Sequence, residues 1–145
     1  MQTEDYLRPV PAPTHESARY WEGLKERKLL LQRCAACNRL RHYPRPMCDA
    51  CHSMEYDWVE ASGRGAVHSW TVTHHAFHHG FKFALPYVLA TVDLEEGVRM
   101  LAQLRGVAPE SMRIGLPVRV AFEAATQELA LPYLVADEAP DSLRG

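Results

Sequence analysis

The sequence has no hydrophobic run long enough to cross a membrane and no excess of basic residues. Its 145 residues carry 16 basic and 18 acidic side chains, a net charge of -2, whereas proteins that neutralise many phosphates normally carry a basic excess. A membrane-spanning helix needs about 18 or more apolar residues in succession, and no apolar run in the chain approaches that length. The composition therefore argues against a membrane protein and against a general nucleic-acid binder.

Cysteine is scarce, with four residues in the chain, and residues 1–16 show neither a basic start nor an apolar stretch. Without a visible secretory signal we expect a cytoplasmic protein, in a compartment where structural disulfides are rare. The length, with 47% hydrophobic and 23% charged side chains, is typical of one soluble globular domain with at most a small added module. The use of four reduced cysteines is then the question to answer.

Charge is unevenly distributed along the chain. Residues 19–45 carry a net charge of +6, while residues 46–145 carry -6. A basic block of this kind either faces an anion or forms a solvated surface beside the thiolates, and the sequence leaves both open.

The N-terminal part is predicted to be an extended arm followed by a short helix. Three X-Pro steps near the N-terminus favour an extended backbone. Thr14 stands where an N-cap belongs, and Ala18, Trp21 and Leu24 recur at helical spacing, so we expect an amphipathic helix over residues 15–27. Its narrow aromatic stripe either covers the core or docks on a partner protein.

From Tyr56 onward the periodicity changes to that of β-strands. A short helical turn at Pro109 separates the third predicted strand from the fourth. The five expected strands are Ala66–His75, Tyr87–Leu94, Val98–Arg105, Pro117–Glu123 and Gln127–Val135. These are the elements of a five-stranded OB-type barrel, and a generic β-sandwich fits the alternation almost as well.

The four cysteines form two C-x2-C pairs separated by ten residues, which is the strongest chemical signal in the sequence. This spacing brings four thiolates onto one tetrahedral ion. Asn38 and His52 follow the two pairs, and both residue types tolerate the positive φ that a zinc knuckle requires there. We therefore predict a closed, structural zinc site without a catalytic role, with the ligands Cys34, Cys37, Cys48 and Cys51.

Three other uses of the four cysteines are chemically conceivable. The segment Cys48–His52 spells the c-type haem signature, but haem attachment takes place outside the cytoplasm and would leave the first pair unexplained. A thioredoxin-like pair needs a βαβ setting that the pattern lacks. Iron remains chemically possible in the same four-sulfur site.

A histidine cluster follows the first barrel strand, at His74, His75, His78 and His79. Two i, i+4 pairs would hold a metal on a helix, but the preceding residues predict a strand, so we expect a loop and leave the role of the cluster open. The chain contains no G-x-S-x-G, no phosphate-binding glycine loop and no H-E-x-x-H. No catalytic residue is therefore predicted.

A particular order of motifs runs through residues 14–135. It comprises an aromatic helix around Tyr20-Trp21, the strand Leu29–Arg33, the cysteine pairs with Tyr43-Pro44-Arg45 between them, and then Ser62-Gly63-Arg64-Gly65, Leu85-Pro86-Tyr87, Glu96-Gly97-Val98-Arg99 and Ile114-Gly115. This combination resembles the family of small zinc-ribbon/OB-fold proteins that accompany thiolases and other acyl-CoA enzymes.

The resemblance implies a mainly β fold with an N-terminal helix, a rubredoxin-like zinc ribbon and a C-terminal five-stranded OB-fold barrel. The expected division is an arm and helix (1–28), the ribbon (29–60), the barrel (61–136) and a polar tail (137–145). It also implies a non-catalytic accessory subunit of a thiolase-like complex, in acyl transfer or carbon–carbon bond formation or cleavage, that helps to bind a CoA thioester. Four residues are candidate CoA contacts because of their charge and loop position, and not because they match a family motif: Arg41, Arg45, Phe81 and Lys82.

Two other functions remain in competition. A single-stranded nucleic-acid binder would use aromatic side chains for stacking, with Trp70, Phe77, Phe81 and Tyr87 as candidates, but the net charge of -6 over residues 46–145 has the wrong sign. A self-sufficient acyl-CoA hydrolase ranks last, because no nucleophile with an adjacent base is evident.

Overall fold

The computed structural model describes residues 10–75, 80 and 85–137. Within these ranges the chain forms one α-helix and eight β-strands, with a short 3-10 turn at Pro109–Ser111. The elements are α1 (Ala18–Lys25), β1 (Leu30–Cys34), β2 (Leu40–Arg41), β3 (Tyr56–Glu60), β4 (Arg64–Thr73), β5 (Tyr87–Leu94), β6 (Arg99–Arg105), β7 (Pro117–Ala124) and β8 (Ala130–Ala136). The mainly β prediction with one N-terminal helix is confirmed.

The helix begins later than predicted, and the prediction of Thr14 as its N-cap is wrong. Ser17 is the N-cap, because Thr14 is taken up by a preceding turn. In that turn the Thr14 N–H donates to Ser17 Oγ at 2.8 Å, and the Ser17 N–H donates to the Thr14 carbonyl at 3.2 Å. At the other end Arg27 adopts a φ of 62°, which ends the helix in a left-handed residue.

The first sheet is antiparallel, with strand order β2-β1-β3. Strand β1 pairs with β3 over its whole length, from Leu30 opposite Glu60 to Cys34 opposite Tyr56. Helix α1 lies close against β1, since a Cβ on Gly23 would come within 2.7 Å of the Leu30 side chain. This contact fixes the helix beside the cysteine-bearing sheet.

The second sheet closes into a barrel of order β4-β5-β6-β8-β7. Four of its five pairings are antiparallel, and β6 with β8 is the parallel one, limited to Leu104 opposite Leu134 and Arg105 opposite Val135. This closed five-stranded arrangement is an OB-type barrel rather than the sandwich that the periodicity also allowed. The two sheets are separated along the chain by residues 61–63, while the domain boundaries assigned from the sequence stay predictions.

One hydrophobic core joins the helix, the first sheet and the barrel. Alternate residues of β6 point inward, so that Met100, Ala102 and Leu104 are buried. Leu24 of α1 and Leu31 of β1 are fully buried in the same cluster. Alternation then places the other β6 side chains on the outside of the barrel. No helix in the described ranges has the length and apolarity to cross a membrane.

Candidate functional site

Two backbone turns bring the cysteines together. In the first, the Asn38 N–H donates to the Cys34 carbonyl at 2.9 Å, and in the second the His52 N–H donates to the Cys48 carbonyl at 3.0 Å. Asn38 and His52 both have a φ of 66°, the left-handed conformation predicted for the residue after each pair. The repeated geometry directs both pairs toward one point.

The four sulfurs lie at the separation that a single tetrahedral ion requires. Cys34 Sγ is 3.5 Å from Cys51 Sγ, Cys37 Sγ is 3.7 Å from Cys48 Sγ, and all four atoms lie within 4.8 Å of one another. A zinc ion with Zn–S bonds of about 2.3 Å has sulfur–sulfur edges of about 3.8 Å. The arrangement therefore fits structural zinc, with all four tetrahedral positions supplied by cysteine.

Backbone N–H groups favour the thiolate form of two of the four cysteines. The N–H of Cys37 lowers the pKa of Cys34 to about 6, and the N–H of Cys51 lowers the pKa of Cys48. At Cys51 the N–H of Ser53 favours the thiolate, but the hydrogen bond with Cys34 Sγ and burial raise its pKa to about 12. A dication removes this competition among neighbouring sulfurs, because it stabilises all four as thiolates.

A second feature is a cavity of about 230 Å³ between the first sheet and the β5–β6 turn. Four arginines line it, and we call it the arginine pocket: Arg39, Arg41, Arg45 and Arg99. Arg39 lies 3.2 Å from Asp49 and Arg99 lies 2.7 Å from Asp93. Both ion pairs are exposed, so each arginine is available to an incoming anion at little cost.

Arg41 forms the buried wall of the arginine pocket. It is 8% exposed, and its Nε donates to Oε1 of the fully buried Gln32 at 2.6 Å. Its Nη2 donates to the Arg45 carbonyl at 2.8 Å, while the Arg45 N–H donates to the same Gln32 oxygen at 2.7 Å. Among the described residues, Arg41 Nη1 and Gln32 Nε2 are buried without a hydrogen-bond partner. Of these two donors, only Arg41 Nη1 belongs to a residue that lines the pocket.

A third feature is an apolar groove of about 350 Å³ on the outside of β5, β6 and β8. We call it the outer groove; its principal lining residues are Trp21, Tyr43, Leu89, Leu101, Leu131 and Tyr133. Its charges are paired with each other, because Arg105 Nη2 donates to Glu123 at 2.8 Å and the guanidinium lies 4.2 Å from the centre of the Tyr133 ring. Tyr43 closes one side, where its hydroxyl accepts the Leu101 N–H at 3.1 Å.

The structure brings together some of the predicted site residues and leaves others undescribed. Arg41 and Arg45 share the arginine pocket. His74 and His75 are exposed just after β4, and among the described residues the four cysteines form the one group suited to a metal. The remaining candidates lie outside the described residues: Phe77, His78, His79, Phe81 and Lys82.

The sequence reasoning missed the groove and half of the arginine pocket. Arg39 belongs to the basic block of residues 19–45, and Arg99 ends the motif Glu96-Gly97-Val98-Arg99. Each of these sequence features indicates a charged surface. Neither indicates that Arg39 and Arg99 line the same pocket. The alternation of β6 was visible, and it would have identified Leu101 as an outward apolar residue.

Comparison with known proteins matches the chain over both sheets. A family model for the rubredoxin-like zinc ribbon domain of ChsH2 covers residues 21–57, and one for the C-terminal OB-fold domain of ChsH2 covers residues 58–123. A solved structure named Ltp2-ChsH2(DUF35) aldolase superposes with a TM-score of 0.81 at 43% identity, over 89% of this chain and 100% of that one.

Several curated relatives are similar in sequence. A probable enoyl-CoA hydratase alpha subunit of Thermomonospora curvata is 47% identical over 87% of this chain and 39% of its own length. A DUF35 domain-containing scaffold protein of Pyrococcus furiosus is 36% identical, over 71% of this chain and 75% of its own length. A benzoylsuccinyl-CoA thiolase subunit of Geobacter metallireducens is 39% identical over 51% of this chain and 48% of its own length.

The chain spans less than two fifths of the Thermomonospora subunit, whereas it covers three quarters of the Pyrococcus scaffold protein and the whole of the matched structure. The two family models match consecutive segments of the chain, in the same order as the two sheets. The chain therefore belongs to the family defined by the ChsH2 zinc-ribbon and OB-fold domains and the DUF35 scaffold proteins.

Proposed function

We propose that this chain is a non-catalytic accessory subunit of a thiolase-like acyl-CoA enzyme, active in acyl transfer or carbon–carbon bond formation or cleavage. The observation that carries the proposal is the match, over the full length of that chain, to the DUF35 part of an aldolase assembly. Relatives named as a scaffold protein and as a thiolase subunit support the same role. In this role the chain is one component of a hetero-oligomer.

The chemistry of the described residues supports a binding role rather than catalysis. The four thiolates complete a tetrahedral metal site, so that the ion has no position for a substrate. The barrel carries an apolar groove and an arginine pocket on its surface. These features hold a ligand or a partner without supplying a nucleophile.

The same proposal includes binding of a CoA thioester. Arg41 and Arg45 would face its phosphates, since both line the arginine pocket, and Arg41 Nη1 has no hydrogen-bond partner within the described part of the chain. Phe81 and Lys82 stay proposed contacts. Because four-thiolate sites require reduced cysteines, the proposed compartment is the cytoplasm.

Copurification tests this function. The tagged, zinc-loaded chain is expressed in its native host, and bound proteins are identified by mass spectrometry and then mixed with the chain again as purified components. A thiolase-like subunit that co-elutes with the chain at fixed stoichiometry in size-exclusion chromatography is the expected result. A chain that stays monomeric beside every thiolase-like subunit of the host contradicts the proposal. Oligonucleotide binding that tightens as salt falls would favour the nucleic-acid alternative.

A further inference from the structure

We infer that Cys37 and Cys51 are oxidation sites, at which a peroxide converts the four-cysteine metal site into two disulfides and so releases its zinc. Hydrogen peroxide is the simplest reagent of this class. The inference concerns the chain itself, and only its consequence for an enzyme complex rests on the proposed function.

The four sulfur ligands differ in their exposure. Cys34 and Cys48 are fully buried, whereas Cys37 and Cys51 are exposed. The oxidation of a cysteine depends on access to its thiolate. A reagent that arrives from solvent therefore reaches Cys37 and Cys51 first.

Backbone hydrogen bonds add a second difference between the sulfurs, in the same direction. Within the described residues, each buried sulfur accepts two N–H groups and each exposed sulfur accepts one. The donors are Ala36 and Cys37 to Cys34, Ala50 and Cys51 to Cys48, Arg39 to Cys37, and Ser53 to Cys51. A hydrogen bond withdraws electron density from a thiolate and so lowers its nucleophilicity. The exposed sulfurs are thus also the more nucleophilic pair.

Each exposed sulfur has a buried sulfur of the other C-x2-C turn beside it. Cys51 Sγ lies 3.5 Å from Cys34 Sγ, and Cys37 Sγ lies 3.7 Å from Cys48 Sγ. A disulfide has an S–S bond of about 2.0 Å, so each pair has to close by about 1.5 Å. Four cysteines allow three pairings, and these distances favour the pairing that joins Cys34 to Cys51 and Cys37 to Cys48.

The reaction balances on the sulfur atoms. The exposed thiolate attacks one oxygen of hydrogen peroxide, so that an S–O bond forms, the O–O bond breaks and hydroxide leaves. The product is a sulfenic acid, and the buried thiolate attacks its sulfur: an S–S bond forms, the S–O bond breaks and a second hydroxide leaves. Each disulfide thus consumes two thiolates and one peroxide molecule. Because the thiolate is the metal ligand, the oxidised chain no longer holds zinc.

Loss of the metal site would also disturb the arginine pocket, because both C-x2-C turns contribute to its wall. Arg39 lies just after the first turn and Asp49 lies within the second, and the two form an ion pair at 3.2 Å. The Arg39 carbonyl also accepts the Cys34 N–H at 2.9 Å. Oxidation therefore changes a surface to which the proposed function assigns a ligand.

Titration of the zinc-loaded full chain with hydrogen peroxide tests the inference. Released zinc is measured with a chromogenic chelator, sulfenic acids are trapped with dimedone, and disulfides are located by peptide mass mapping. We expect one zinc released for every two peroxide molecules consumed, dimedone on Cys37 and Cys51, and the crossed pairing of disulfides. Dithiothreitol and zinc should then restore the metal site. Zinc that stays bound, dimedone on Cys34 and Cys48 alone, or disulfides within each C-x2-C pair would overturn the inference.

Two variants separate thiolate oxidation from other effects of peroxide. Met47 and Met54 flank the second turn and are 45% and 58% exposed, and methionine is also oxidised by peroxide. The double variant Met47→Leu/Met54→Leu is the matched control and should release zinc at the wild-type rate; a protected metal site in this variant would refute the role of the thiolates. Cys37→His/Cys51→His keeps four zinc ligands and should release zinc about tenfold more slowly. An unchanged rate refutes the inference, and if this variant binds no zinc, the dimedone sites of the wild type decide.

Co-elution with the thiolase-like subunit distinguishes this inference from the proposed function. A reduced, zinc-loaded chain that binds no such subunit contradicts the proposed function and leaves the peroxide result standing. A chain that binds the subunit and keeps its zinc in peroxide refutes the oxidation sites alone.

Discussion

Replacing Gln32 by methionine should destabilise the protein far more than the loss of one polar side chain suggests. Gln32 is fully buried on β1, and its Oε1 accepts hydrogen bonds from Arg41 Nε at 2.6 Å and from the Arg45 N–H at 2.7 Å. Methionine has a similar length but offers no comparable acceptor. The variant therefore leaves two donors unsatisfied, and one of them belongs to a buried cation.

The magnitude follows from the two donors. An unsatisfied buried donor costs about 1–3 kcal/mol, and more when it is charged. Arg45 is an exposed residue, so the cost at its N–H lies at the low end of this range. The unsatisfied cation at Arg41 costs about 3 kcal/mol and the Arg45 N–H about 1 kcal/mol, whereas removal of Gln32 Nε2, itself an unsatisfied donor among the described residues, returns about 1 kcal/mol. We therefore expect Gln32→Met to lower the free energy of unfolding by about 3 kcal/mol.

The Gln32→Glu variant tests the acceptor oxygen separately from the amide nitrogen. It keeps an oxygen for Arg41 and Arg45, and it replaces Nε2, which has no hydrogen-bond partner among the residues that the structure describes, with a carboxylate oxygen. The gain in ion pairing offsets the burial of a second charge. We expect the stability of Gln32→Glu at neutral pH to lie within about 1 kcal/mol of wild type.

Urea unfolding, followed by tryptophan fluorescence, measures these differences at a fixed, buffered concentration of free zinc. Zinc binds the folded thiolate site, so the apparent stability depends on free zinc unless it is held constant. Unfolding midpoints are compared between variants of equal m value. A Gln32→Met protein within about 0.5 kcal/mol of wild type, or a Gln32→Glu protein as unstable as Gln32→Met, would refute the role of the acceptor.

Three further outcomes are expected. Cys48→Ser should abolish the one zinc per chain measured by plasma mass spectrometry and remove hydrogen-exchange protection from β1–β3 before the barrel, while Ser53→Ala keeps both. Leu134→Ala, at a fully buried barrel position, should cost about 3–5 kcal/mol in urea unfolding, against less than about 1 kcal/mol for the half-exposed Leu101→Ala. Burial lowers the pKa of His42 to about 4, below the value near 6.5 of an unfolded histidine. Stability that is present above about pH 6.5 should thus be lost as the pH falls toward 4, and His42→Phe should reduce this loss by about 1–3 kcal/mol; an unchanged pH profile contradicts it.

The metal site was predictable because its determinants are local. Each C-x2-C turn needs a positive φ at the next residue, and Asn38 and His52 are visible in the sequence as residues that tolerate it. Strand periodicity likewise predicted a strand over Val98–Arg105, where the structure has β6. The order of elements, together with the resemblance to a known family, was enough to predict the OB-type barrel.

The arginine pocket was less predictable because its residues come together only in three dimensions. Arg41 was chosen for its charge, yet its burial against Gln32 depends on the pairing of β1 with β2. The predicted start of the helix was wrong for a related reason, since the Thr14 hydroxyl is hydrogen-bonded to the Ser17 hydroxyl at 2.8 Å in the turn that precedes the helix. The sequence gives the conformational preference of each residue type. It does not say which of two neighbouring residues occupies the N-cap position.

The fold shows where the opposite net charges of residues 19–45 and 46–145 lie relative to each other. The basic block does not form a separate surface, because β1 and helix α1 share a core with the barrel. Part of the block therefore lies beside β6, where Arg39, Arg41 and Arg45 meet Arg99. The acidic residues of segment 46–145 include Asp49 and Asp93, which pair with Arg39 and Arg99 at the rim of the pocket. A near-neutral total thus conceals a cationic pocket whose outer arginines each form an exposed ion pair with a carboxylate.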